Sequence, residues 1–169
     1  MKQLYPTALR FSLAMGECRG GEALDMLQAM NTGHDGSLTI AHANSPRDML
    51  SRLEVMVLMA GMDLPLTAIR EQIASAVDVI VQITRFSCGS RKVTSLCEVT
   101  GTESGTIQLQ ELFSFKQQGY DVDGKVKGVF RATGAVPEFY EVMRERGLPV
   151  DLSIFQEEPQ RGQEDGYVA

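Results

Sequence analysis

Residues 16–44 read GECRGGEALDMLQAMNTGHDGSLTIAHAN, and here residues of catalytic type stand at the ends of apolar elements rather than along them. Just before this stretch, Leu13, Ala14 and Met15 make a short apolar run that stops at Gly16 and Glu17. That is the pattern of a buried strand delivering a carboxylate to a sheet edge. Cys18 to Gly21 form a turn carrying Arg19, after which Ala23, Met26, Leu27 and Met30 fall on one helical face. Thr32 and Gly33 end the helix, and a second short strand spans 37–43. Strand, glutamate, turn, helix, His34, strand and His42 compose a βαβ unit. Its crossover predicts Glu17 and His42 at the same edge of a parallel sheet, where such sheets keep their sites.

Working outward, the 169 residues suit one domain, or one domain with an appendage. A net charge of −6 with 16 scattered basic residues argues against a nucleic-acid partner, because phosphate-backbone binding needs clustered Lys and Arg. Cys18, Cys88 and Cys97 form an odd set without CxxC spacing, which reads as reduced thiols in a cytoplasmic setting rather than as a disulfide frame or a zinc site. No apolar run reaches membrane-helix length, so direct membrane insertion is not expected.

Residues 1–9, broken by Pro6, read as coil or short helix. Ser45, Pro46 and Asp48 form a helix start: a capping hydroxyl, a proline at the first helical position and a carboxylate at the positive end of the dipole. Met49, Leu53, Met56, Val57 and Ala60 line the inner face of that helix, and Gly61 ends it. Pro65 opens a further helix with Ile69, Ile73 and Ala76 inward, and 79–86 turns strand-like. Beyond Gly89 the chain becomes β-rich over 92–100, 106–115 and 126–132, with Ile107, Leu109, Phe113 and Phe115 on alternate positions. Pro137 starts a closing helix with Phe139, Val142 and Met143 inward. From Gln156 the sequence is polar and without aliphatic spacing, the composition of a disordered tail. The division that follows is an α/β portion over 1–86, a β-rich and helical extension over 87–155, and a tail over 156–169.

Glu17 at a strand end can position the water that attacks a γ-phosphate, or merely cap its turn. Arg19 can face a phosphate or pair with Glu22; His34 and His42 can donate to a γ-phosphate, or join Glu17 on a metal. The spacing lacks the helical His pair or extra Cys and Asp of a zinc site, so no metal ligand set is assigned. A phosphate loop needs a glycine-rich turn followed by Lys and a hydroxyl residue. The one near match, GYDVDGK at 119–125, is followed by Val126 and lies between strands, so it reads as a hairpin turn.

Residues 16–44 resemble the Walker B and histidine-box region of type II/type IV secretion ATPases, in particular the CpaF-type motors of tight-adherence (Flp) pili. The likeness continues through AHANSPRDMLSRLEVMVLMAGMDLP (41–65), AIREQIASAVDVIVQ (68–82), LCEVTG (96–101), ELFSF (111–115) and FRATGAVPEFYE (130–141), covering roughly 16–155. The resemblance implies the C-terminal half of a RecA-like P-loop ATPase domain with a β-rich and helical extension. It implies Glu17 as the Walker B catalytic residue, with Arg19, His34 and His42 near the γ-phosphate. In the family the phosphate loop lies upstream of Walker B, before this chain begins, so ATP and Mg²⁺ are expected only with that upstream half. The resemblance further implies a hexameric homo-oligomer that meets pilus or secretion platform proteins at the inner membrane from the cytoplasmic side. One of Arg47, Arg52 and Arg70 is a candidate to act between subunits. The competing expectation is a truncated copy, inactive alone, that docks onto intact subunits. An incomplete sheet would leave Leu13, Met26 and Ile40 without apolar cover.

Overall fold

The computed structural model describes residues 14–33, 36–61 and 63–157. In chain order these form β1 (Ala14–Glu17), α1 (Glu22–Asn31), β2 (Leu38–Ile40), α2 (Pro46–Met59), α3 (Leu66–Ala76), β3 (Val79–Arg85), β4 (Arg91–Glu103), β5 (Thr106–Tyr120), β6 (Val126–Ala132) and α4 (Glu138–Glu145). A single 3-10 turn, Leu152–Phe155, follows. The mixed α/β class expected from the sequence is what the chain adopts. β1 and β2 pair in parallel, while β3, β4, β5 and β6 form an antiparallel sheet in that order.

The helices form where their caps and apolar stripes predict. Ser45 Oγ accepts the Asp48 N–H at 3.1 Å with Pro46 at the first position, and Gly61, at φ +75°, takes the left-handed conformation just past the end of α2. Leu50, Leu53, Met56 and Val57 of α2 are buried, so Leu50 fills the inner position that the sequence pattern gave to Ala60, which is exposed. They meet Ala23, Leu24, Met26 and Leu27 of α1 and Ile69 and Ile73 of α3. Val99 of β4 and Ile107 of β5 complete this core, so the three helices lie against one end of the four-stranded sheet. Arg70 straps the assembly, bonding Glu54 of α2 at 2.9 Å and the Gly105 carbonyl of the β4–β5 turn at 2.8 Å.

Four expectations change. Residues 79–85 pair along their length with β4, so β3 belongs with the four-stranded sheet rather than with the portion ending at 86. The β5 alternation does not run through: Leu96 faces Phe113 and Cys97 faces Glu111, leaving Leu112 as an extra, buried residue. Ile107 and Leu109 therefore pack toward the helices, while Phe113 stacks on Phe130 and meets Phe155, both with centroids 5.5 Å apart. Phe139, Val142 and Met143 of α4 are half-buried rather than core, because this helix packs at the sheet's margin, with Tyr140 edge-on to Phe155. Finally, Met26 is fully covered by the helical core, whereas Ile40 is 61% exposed. Leu13, the coil expected over 1–9 and the tail beyond Glu157 lie outside the described residues.

Two outcomes test this packing. A Cβ on Gly128 would overlap the Phe115 ring and the Lys116 carbonyl on the neighbouring strand, and the carbonyl cannot retreat without disturbing the β5–β6 ladder. Gly128→Ala should cost about 1–3 kcal/mol in urea denaturation. The second concerns Glu98, buried in β4, whose two oxygens accept the Glu138 N–H at the start of α4 at 3.0 and 3.1 Å. Burial pushes its carboxyl above the usual range against the pull of that N–H, and Glu138 and Asp78 add negative charge. Since the folded value is the raised one, its contribution is present below the unfolded carboxylate range and is lost as pH rises through the folded value. Denaturation midpoints across a pH series should fall less from acid to neutral in Glu98→Gln than in the wild type.

Candidate functional site

The site is built by the β1–β2 pair. Ala14 stands opposite Leu38 and Glu17 opposite Ile40, and the ladder closes where the Cys18 N–H donates to the Ile40 carbonyl at 2.9 Å. The Thr39 hydroxyl donates to the Gly16 carbonyl at 3.1 Å and ties the strands a second time. Cys18 is buried with Sγ 4.0 Å from Met56 Sδ, so the residue after Glu17 is rooted in the core while Glu17 itself leaves toward solvent. Burial pushes the Cys18 thiol up, which suits packing rather than reactivity.

Because the strands run in parallel through a helical crossover, their C-terminal ends coincide, and His42 emerges two residues past β2 beside Glu17. His42 Nε2 lies 2.9 Å from Glu17 Oε1, and the Arg19 guanidinium binds Glu17 Oε2. The carboxylate is recessed, its side chain 25% exposed, between an arginine at 72% and a histidine at 73%. The guanidinium beside Glu17 holds its carboxyl below the usual range, with smaller contributions from His42 and Arg52. The arrangement is a carboxylate at a sheet edge with two exposed groups able to face an anion.

Of the residues singled out in the sequence, Glu17, Arg19 and His42 come together here, while His34 lies outside the described residues. Thr32 and Gly33 act as the helix end: Thr32 Oγ1 donates to the Ala29 carbonyl at 3.2 Å and Gly33 has φ +102°. The near match to a phosphate loop is a hairpin turn, in which Asp121 Oδ1 accepts the Asp123 and Lys125 N–H groups at 3.0 and 2.8 Å. Among the described residues, no three His, Cys, Asp or Glu side chains are placed to hold a metal ion.

Two residues that the sequence reading did not place in the site also belong to it. Glu22, considered as a partner for the Arg19 side chain, instead accepts the Arg19 and Gly20 backbone N–H groups at 2.7 and 3.0 Å and so shapes the turn. Those bonds hold its own carboxyl low. Arg52, one of three arginines named as candidates to act between subunits, donates from Nη1 to the His42 carbonyl at 2.8 Å. A signal for it was present: helical side chains lean toward the N-terminus, so a long residue two turns into α2 reaches back over the loop before Ser45. The neighbouring Ala43 carbonyl accepts from Gln82 Nε2 of β3 at 3.3 Å.

Comparison with known proteins gives consistent relatives. The chain is 33% identical over 123 residues to the conjugal transfer protein TrbB of Rhizobium radiobacter, a match covering 71% of this chain and 36% of that protein. It is 40% identical over 73 residues to the type IV secretion system protein VirB11 of Brucella suis, covering 42% of this chain and 20% of that protein. The crystal structure of the VirB11 ATPase from the Brucella suis type IV secretion system in complex with sulphate aligns with a TM-score of 0.48 and 33% identity, over 52% of this chain and 27% of that one. The matched segment is thus at most 36% of the length of these relatives. Residues 12–146, most of the chain, match a single family model, and the chain belongs to the Type II/IV secretion system protein family.

Proposed function

We propose that the chain is the Walker B and histidine-box part of a motor that couples ATP hydrolysis to pilus assembly or protein export, of the CpaF-like tight-adherence type. The observation that carries this reading is the meeting of Glu17 with His42 and Arg19 at the C-terminal end of a βαβ unit, in a chain of this family. ATP bound across such a site supplies the γ-phosphate to be cleaved. Glu17 accepts a proton or hydrogen bond from the attacking water, Arg19 and His42 donate toward the phosphate oxygens, and His34 joins them from the same motif. The described residues fit one end of a triphosphate and no more. The grip on its other phosphates and on Mg²⁺ is assigned to an upstream half, in keeping with relatives several times longer than the matched segment. Assembly as a hexameric ring against inner-membrane platform proteins is part of the same proposal. So is a peripheral cytoplasmic location; among the described residues no helix is long and apolar enough to cross a membrane.

The second reading is a copy without activity of its own that docks onto intact subunits, and it is favoured by the lack of any GxxxxGK[ST] run in the 169 residues. Both readings expect the isolated chain to release no phosphate from ATP, since the loop amides and Lys that hold the nucleotide are not in it. Mg²⁺-dependent turnover by the 169 residues alone would contradict that. The two readings separate when the chain is joined to an upstream half bearing a phosphate loop. Hydrolysis should appear, and Glu17→Gln should leave nucleotide binding intact while slowing steady-state phosphate release by about 100-fold or more. His42→Ala should slow turnover less, with little loss of binding. An unchanged rate in Glu17→Gln would remove Glu17 from the reaction.

A further inference from the structure

We propose that Arg19 is a phosphate ligand parked on Glu17, so that a terminal phosphate must draw the guanidinium away before the carboxylate can take a water. The inference rests on the ATPase reading above and adds an order of events to it.

Both oxygens of Glu17 are engaged in the described state, Oε2 by Arg19 and Oε1 by His42. A carboxylate bound to a guanidinium is a weaker base, and while the ion pair stands Arg19 occupies the face of Oε2 from which a proton would be taken. The guanidinium fork matches phosphate oxygens as well as carboxylate oxygens, and a terminal phosphate carries more negative charge than a carboxylate. Where both are within reach, the phosphate is the stronger partner.

The turn is built so that only the arginine side chain needs to move. Glu22 Oε1 holds the Arg19 and Gly20 N–H groups, and buried Cys18 fixes the chain on the other side. The Arg19 side chain is largely solvent-exposed, so its swing disrupts no packing and breaks one exposed ion pair. The backbone that carries His42 keeps its place because its loop is anchored independently, by Arg52 on the His42 carbonyl and by Gln82 on the Ala43 carbonyl. Among the described residues, the charged and titratable groups facing Glu17 are thus Arg19 from the β1–α1 turn, His42 from the β2–α2 loop and Arg52 from α2. Departure of Arg19 removes the strongest of these, so the Glu17 carboxyl rises toward its ordinary range and becomes the better base just as the phosphate arrives. The device protects against activating water at an empty site, because the signal that frees the carboxylate is the presence of the group to be attacked.

The test is the Glu17 carboxyl titration, followed by ¹³C NMR in the 169-residue chain. Rising sodium sulfate, a tetrahedral dianion throughout the carboxylate range and so a stand-in for an ionised terminal phosphate, is compared with sodium chloride at matched ionic strength, in wild type, Arg19→Lys and Arg19→Met. Circular dichroism confirms that the exposed substitutions leave the fold intact. In chloride, Arg19→Met should titrate at higher pH than wild type. Sulfate should shift the wild-type midpoint upward, shift Arg19→Lys less because the fork is lost, and leave Arg19→Met where it was. A wild-type midpoint equal in sulfate and chloride, or an Arg19→Met midpoint that moves as far as the wild type, overturns the exchange. Phosphate release by the chain joined to an upstream half separates this failure from that of the ATPase reading. Glu17-dependent hydrolysis with a sulfate-insensitive midpoint sinks the exchange alone, whereas a sulfate-sensitive midpoint without hydrolysis supports the exchange and sinks the ATPase reading.

Discussion

The hydrogen bond from the Cys18 amide to the Ile40 carbonyl, the last rung of a two-stranded parallel ladder, is the contact on which the site depends. A parallel pair needs a crossover, the crossover here is α1, and α1 is held by burying Ala23, Leu24, Met26 and Leu27 against α2 and α3 and by the Asn31 amide on the Gln72 carbonyl of α3. The site is therefore as stable as the helical core, although its own residues contribute almost nothing to that core. This division of labour lets exposed, charged groups sit in close contact: the backbone that presents them is fixed by apolar burial elsewhere, so their geometry need not be maintained by their own attraction.

Much of this was legible because the relevant signals are local. The Ser45-Pro46 start of α2 and the Gly61 stop of the same helix follow from hydrogen-bonding and φ preferences of single residues, and the structure has both. The approach of Glu17 to His42 was legible for a topological reason, since a right-handed βαβ crossover leaves few places for two strand ends to go. What escaped was everything requiring register. The extra residue Leu112 switches the side that β5 presents, and no periodicity announces a bulge in advance. The membership of β3 in the four-stranded sheet likewise depends on pairing with β4, which local pattern does not report.

The site residues divide in the same way. Glu17 and His42 stood out by residue type and position, whereas Arg52 and Glu22 act through backbone groups of their neighbours, and any charged residue on those elements would have looked similar in sequence. Residues that hold other residues leave a weaker mark in sequence than residues of catalytic type at the ends of elements.

The carbonyls of His42 and Ala43 are consecutive, yet one is gripped by a helix of the core and the other by the edge strand of the larger sheet. Hydrogen bonds tolerate only a narrow spread of lengths, so the loop between those grips behaves as a short tether strung between two anchor points. If the helical layer shifts against the sheet, the tether tightens or slackens, and the imidazole it carries tilts relative to Glu17. A sliding of one layer on the other would thus be felt first at the backbone that presents His42.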